Sequence, residues 1–142
     1  MRGVNVASGK HSELTEKVIG VYYAVYNELG PGFLESIYQR AMIIALREAD
    51  LEVKHEVAIP VWFRGSQIGD FKADLIVNGC ILLELKAVER MQKAHEAQTL
   101  NYLKATDLEV ALLMNFGWER PEFKRFAYDN SRKPHRARAA KA

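Results

Sequence analysis

Apolar residues recur at helical spacing over the first part of the chain, alternate at strand spacing through the middle, and form a short unbroken run near the end. Leu14, Val18, Val21, Tyr22, Val25 and Leu29 share one face of a first helix. Ser12 is its expected N-cap, Glu13 and Glu16 suit its first turn, and Gly30-Pro31-Gly32 ends it. A second helix is expected from about Phe33 to Asp50, with Leu34, Ile37, Ala41, Ile44, Ala45 and Leu51 as its core stripe. Glu35, Tyr38 and Met42 lie on a neighbouring face, which makes Glu35 a first-turn acid beside the core. Val57, Ile59, Val61 and Phe63 then alternate along a strand, and Pro60 on the other parity argues for a sheet edge or a bulge. Arg64-Gly65-Ser66 turns the chain into a second strand, Ile68 to Val77, and Cys80 to Val88 is a third. A helix from about Met91 to Ala105 buries Ala97, Leu100 and Leu103 and carries His95, Gln98 and Tyr102 on one side. Glu109 to Phe116 reads as a buried strand, parallel to a neighbour because a helix precedes it, and Phe123 to Tyr128 as an edge strand. The fold class is α/β with α+β character: two helices, a three-stranded antiparallel meander, a crossover helix and further strands.

The meander turns at Asn78-Gly79, the strongest short-range hairpin signal, because both residues tolerate positive φ. Around it the odd positions Phe71, Ala73, Leu75, Val77, Ile81, Leu83, Leu85 and Ala87 are apolar. The even positions include Asp70, Lys72, Asp74, Glu84 and Lys86. A two-residue loop would set odd positions of one strand beside even positions of the other and spoil both faces. A three-residue loop, Val77-Asn78-Gly79, keeps the faces together and pairs Ile76 with Cys80. It puts Asp74 opposite Leu82 and diagonal to Glu84, close enough for two carboxylates to reach one cation. Ile76, Cys80 and Leu82 edge the charged face, so its charges are expected to be sheltered; a plain solvent face carries Ser, Thr and scattered Lys instead. Two sheltered carboxylates and a lysine point to a cation or a phosphate.

Composition narrows the setting. The 142 residues, 49% hydrophobic, suit one domain, expected over 11–129, with no internal repeat. The single cysteine, Cys80, forms no intramolecular disulfide, no signal-like segment precedes the first helix, and no apolar stretch approaches membrane-spanning length. A cytoplasmic protein that does not enter the membrane is expected. Net charge is +2, yet Arg132, Lys133, Arg136, Arg138 and Lys141 all fall beyond Ser131 with no acid among them. The rest holds fifteen basic against eighteen acidic residues, a net of −3. Residues 131–142 thus read as a mobile basic tail that adds nucleic-acid affinity, and residues 1–10 as a loosely ordered start.

Asp74 followed by Glu84-Leu85-Lys86 resembles the signature of the PD-(D/E)XK nuclease superfamily, and Gly32-Phe33-Leu34-Glu35-Ser36-Ile37-Tyr38 matches the GxxExxY motif that names one family within it. Gln98-Thr99-Leu100-Asn101-Tyr102-Leu103 downstream adds to the resemblance, which spans about Glu13 to Tyr128. Ala73 stands where many members have proline before the aspartate. The resemblance implies a restriction-endonuclease-like core with Asp74 and Glu84 as metal ligands, the Leu85 carbonyl as a third and Glu35 as a further acid. It implies Mg²⁺ as the cofactor, with Mn²⁺ able to replace it, and Lys86 positioning and helping to deprotonate the attacking water. Gln98 and Tyr102 would orient water or contact the nucleic-acid backbone, and His95 lies beside the site only.

The reading that follows is a magnesium-dependent nuclease, acting on DNA ahead of RNA, with oligomeric state, a homodimer included, left open. Its rival is a catalytically silent nucleic-acid or protein binding module on the same fold. A hydrolase of another phosphate ester is a third class, because site geometry does not specify the leaving group.

Overall fold

The computed structural model describes residues 9–133. Helices α1 (Ser12–Leu29) and α2 (Glu35–Glu48) lead into strands β1 (Val53–Phe63), β2 (Ser66–Val77) and β3 (Ile81–Lys86). Helix α3 (Lys93–Ala105) crosses to β4 (Val110–Asn115), and β5 (Glu122–Ala127) and a short 3₁₀ turn, Asn130–Arg132, follow. The five strands form one sheet in the order β1-β2-β3-β4-β5, with β3 and β4 parallel and the other neighbours antiparallel. This is the mixed architecture expected of a restriction-endonuclease-like fold. β1 lies at an edge, as Pro60 requires, and the ribbon shifts register just beyond it, between Val61 and Trp62.

The sheet is covered on both faces, which explains the run of buried residues along β3 and β4. On one face α1 and α2 pack Val18, Tyr22, Tyr38, Met42 and Leu46 against Leu75, Leu83, Leu85 and Leu112. On the other, Leu103 of α3 meets Ala73, Ile76, Leu82 and Ala111. Glu84 is buried and Asp74 and Lys86 are half-buried there, whereas Asp70 and Lys72 are exposed. Phe71 and Ala73, expected on one face with Leu75 and Val77, pack on the α3 side instead, because the alternation of β2 breaks at Asp74.

Of the stripe expected for helix α2, Leu51 is buried and Ala41 and Ala45 pack beside the core, but the fully buried face is a neighbouring one. Tyr38, Met42 and Leu46 are fully buried, whereas Leu34, Ile37 and Ile44 are 75%, 42% and 61% exposed. The aromatic partner decides the outcome: the Tyr38 ring stacks on Phe116 with centroids 4.4 Å apart, and its hydroxyl donates to the Gly30 carbonyl and accepts from the Phe33 amide. That hydroxyl holds closed the α1–α2 connection, where Gly32 sits at φ 117°. At the start of α1 the N-cap is His11, at φ 55°, and Ser12 is the first helical residue instead of the cap. In α3, Ala97 is exposed and Thr99 takes the buried place beside Leu103.

The β2–β3 loop has three residues and keeps odd positions together, but they are Asn78-Gly79-Cys80, so Val77 faces Ile81 and Ile76 faces Leu82. Parity alone permits either register. The choice follows from Asn78, at φ 52°, which exchanges hydrogen bonds with Glu52: its amide donates to the Glu52 carbonyl and its Oδ1 accepts from the Glu52 amide, each at 2.8 Å. Gly79 has positive φ, 63°, as the turn requires.

The basic segment does not leave the fold at Ser131. Lys133 is 4% exposed, and its Nζ donates to the carbonyls of Leu103, Thr106 and Leu108, where α3 ends. Residues 1–8 and 134–142, on which the other terminal expectations fall, lie outside the described residues. Lys133→Ala should take a charged donor from three carbonyls at the end of α3, of which Leu103 and Leu108 keep bonds from Thr106, and cost about 2 kcal/mol of stability. A melting temperature equal to that of the parent would show that the contacts contribute nothing.

Candidate active site

The regular β2–β3 pairing stops after Leu75 opposite Leu83. Continuing that register sets Asp74 opposite Glu84, not opposite Leu82 as the other loop would require. Here side chains take over from the backbone ladder. The Leu85 amide donates to Asp74 Oδ2 at 2.8 Å, and the Asp74 amide donates to Glu84 Oε2 at 3.2 Å. Each carboxylate is thus anchored by the opposite strand's main chain. The same level is irregular in β1: Glu56, between the residues paired with Ala73 and Leu75, has φ 53°. Val53 packs on the α1–α2 side of the sheet, and Val57 and Ile59 on the α3 side.

Both acids are held above their ordinary range. Glu84 is 4% exposed, and burial, reinforced by the charge of Asp74, pushes its carboxyl up to about 8. Burial also raises Asp74, to about 6; the Leu85 amide opposes the shift, Glu35 adds to it and Lys86 opposes it. Two carboxylates that resist ionising side by side are a site short of positive charge.

Lys86, two residues beyond Glu84 on the same face of β3, donates from Nζ to Gln98 Oε1 at 3.2 Å. Gln98 Nε2 donates to the Tyr102 hydroxyl at 3.1 Å. One turn of α3 separates Gln98 from Tyr102, so a single helix face holds this line of groups beside the acids. Burial and then the charge of Glu84 raise the Tyr102 hydroxyl. Phe71 backs the Tyr102 ring, stacked at 3.7 Å between centroids. His95 caps its own helix and takes no part in this line. Its Nδ1 accepts from the Gln92 amide at 3.0 Å and completes the capping box of α3.

Glu35 opens α2 and is exposed, close enough for its charge to raise both Asp74 and Glu84. Among the described residues no three acidic, histidine or cysteine side chains gather tightly enough to hold a metal, so Glu35 reaches the rim of the acid pair and does not complete a three-carboxylate cluster. One turn further along α2, Gln39 donates to Glu56 Oε2 at 2.9 Å and to the Asp74 carbonyl at 3.3 Å. Sequence reading passed over both Gln39 and Glu56. The i, i+4 spacing from Glu35 to Gln39 was an available signal; Glu56 had none, because its role depends on the break in β1.

A second omission is the brace behind Lys86. Asn115 is fully buried, and its side chain exchanges hydrogen bonds with both main-chain groups of Val88, at 2.8 and 3.0 Å, while also accepting from the Gly117 amide. A Cβ at Gly117 would sit 2.4 Å from Val88 N and O, so the exits of β3 and β4 touch main chain to main chain. Gly117→Ala should therefore cost about 2 kcal/mol or more, read as a fall in melting temperature of several degrees. An unchanged melting temperature would show that the two exits separate without penalty.

The donor chemistry fits a hard divalent cation: one buried and one half-buried carboxylate with too little positive charge beside them, where such an ion would keep several waters. An acid pair with a lysine two residues beyond it, where two strands of a mixed sheet stop pairing, supplies the oxygen donors such an ion needs and one fixed positive charge beside them. The model of the PD-(D/E)XK nuclease superfamily matches residues 12–126, and the chain belongs to that superfamily. Its members generally use divalent metals and act on nucleic acid. No curated protein and no solved structure gives a significant match. Among the described residues no helix is long and apolar enough to cross a membrane.

Proposed function

We propose that this protein is a magnesium-dependent nuclease, with DNA its first substrate and RNA its second, of the family named for the GxxExxY motif. The observation that carries the reading is the Asp74–Glu84 pair, half-buried and buried respectively, tied to the opposite strand's amides and starved of countercharge, with Lys86 on the same face as Glu84. Asp74 and Glu84 would hold the cation with the Leu85 carbonyl, and Glu35 would strengthen the negative field from the rim. When bound, the cation supplies Lewis-acid activation of water and neutralises charge at the scissile phosphate. Lys86 would orient the attacking water, assist loss of its proton and offset charge on the transition state. Gln98 keeps the Lys86 amine in place, and Tyr102 offers a hydroxyl toward the substrate backbone. Tyr38 and Gly32 support the motif reading through a structural role, closing the connection that delivers Glu35.

The deciding assay incubates purified protein with single- and double-stranded DNA and RNA, in magnesium, manganese or EDTA. Cleavage that appears with either metal and vanishes in EDTA is expected. Metal-independent binding of the same nucleic acids with no cleavage would favour a silent binding module.

A further inference from the structure

Beside the acid pair, on the α3 face of the sheet, lies a cavity of about 570 Å³. Ile59 and Trp62 of β1 wall it on one side, Asn101 and Lys104 of α3 on the other, and Phe71 and Tyr102 also line it. The stacked rings of Phe71 and Tyr102 lie within 8° of parallel and form one thick aromatic wall. The volume is that of a ligand pocket, larger than packing defects inside domains. Trp62, Phe71 and Ile59 are left half-buried there, which is an unfinished use of large apolar side chains.

The cavity and the acid pair share a residue. Tyr102 lines the cavity with its ring and takes a hydrogen bond from Gln98, whose other end holds Lys86. Phe71 precedes Asp74 by three positions on β2. Three strand residues span about 10 Å, so a polynucleotide whose phosphate is held through a cation at Asp74 and Glu84 has a neighbouring base within reach of the aromatic slot. Lys104, its Nζ 5.1 Å from the Tyr128 ring, supplies positive charge at the wall for the adjoining phosphate. Asn101 and Asp107 offer hydrogen-bonding groups to a base edge.

We propose that this cavity holds one unpaired base of a single-stranded nucleic acid, the base next to the phosphodiester bound at Asp74 and Glu84. The proposal rests on the nuclease reading for what occupies the neighbouring acids, and it adds the strand state of the substrate. In a duplex each base has its faces covered by neighbours and its edge paired, so none enters an apolar slot without being unstacked. An unpaired base has both faces free, and stacking on aromatic side chains is favourable for all four bases.

The test is run with calcium in place of magnesium and with the substrate shown to be intact after each titration, so that binding is read with the charge of the acid pair offset and without cleavage. In Trp118→Phe protein the remaining tryptophan, Trp62, reports the cavity. A short oligothymidylate should quench its fluorescence, and a blunt duplex of equal length should not. Trp62→Ala should bind the labelled single strand about tenfold more weakly. Asn101 is exposed, so Asn101→Phe should fill the cavity mouth, keep the parent melting temperature and show the same loss. Replacing one thymidine by an abasic unit should weaken binding about tenfold for the parent and add nothing for Asn101→Phe. Equal affinity for single strand and duplex, or an unquenched Trp62, overturns the proposal. Quenching with abasic sensitivity but no magnesium-dependent cleavage upholds the base site and removes the nuclease reading. Duplex cleavage with Trp62 unquenched does the reverse.

Discussion

Asp74→Asn and Glu84→Gln should each lower magnesium-dependent cleavage by on the order of a hundredfold or more, because each removes a charged ligand from the transition state. The fold should survive both changes. An Asn side-chain oxygen at position 74 still accepts from the Leu85 amide, and a Gln oxygen at position 84 still accepts from the Asp74 amide. Lys86→Ala should also lose activity while keeping metal binding, since its amine bonds Gln98 in the structure and not the acids. Rates are to be compared at saturating magnesium, so that weakened metal affinity is separated from a lost chemical role. Cleavage by either acid variant at the parent rate would remove the acid pair from the mechanism.

Stability in EDTA should fall as pH rises from about 4.5 to about 8. In that window the unfolded chain has given up the protons of both acids, whose unfolded values are near 3.8 and 4.5. The folded chain keeps them until about 6 at Asp74 and about 8 at Glu84. The folded state then binds more protons, so the unfolding free energy decreases with pH. Below about pH 4 both states are protonated and the penalty is absent; above about 8 it is complete. For two such shifts, one of them on a half-sheltered group, the sum is on the order of several kcal/mol.

Glu84→Gln should flatten the profile and melt higher than the parent at pH 8, because an uncompensated buried charge is gone. Magnesium at ten times its dissociation constant should restore about 1.4 kcal/mol to the parent and little to the variant. Sodium at matched ionic strength separates specific binding from screening. Superimposable profiles for parent and variant would show that Glu84 ionises in the folded protein as freely as in the unfolded chain. Equal stabilisation of parent and variant by magnesium would show that the acid pair holds no metal.

The exposed stripe of α2 shows where reading a chain stops. Leu34, Ile37 and Ile44 have the same helical spacing as Tyr38, Met42 and Leu46, and hydrophobicity does not rank one set above the other. Periodicity is a property of the helix alone. Which stripe is buried depends on Phe116, far along the chain, and on a Gly30 carbonyl in need of a donor. The hairpin is a matching case: alternation dictates that odd meets odd, and two registers satisfy it. The bond between Asn78 and Glu52, formed only when β1 lies alongside, selects one of them.

By itself the sequence determined the order and type of the elements, the odd-with-odd pairing at Asn78-Gly79, and the charged residues to which the proposed chemistry is assigned. Asp74, Glu84 and Lys86 were legible because charged residues interrupt otherwise apolar strands, which is a local conflict visible in one dimension. Tertiary structure alone decided that Asp74 faces Glu84 and that Gln39 and Glu56 adjoin them. It also decided that Asn115 and Gly117 lock the exit of β3, and that Lys133 closes α3 instead of joining a tail. Each of these rests on a polar atom or a bare backbone meeting a partner from a distant segment. Such a requirement leaves no period in the sequence, because hydrogen bonds and close approach are satisfied wherever the packed elements bring the partner within reach.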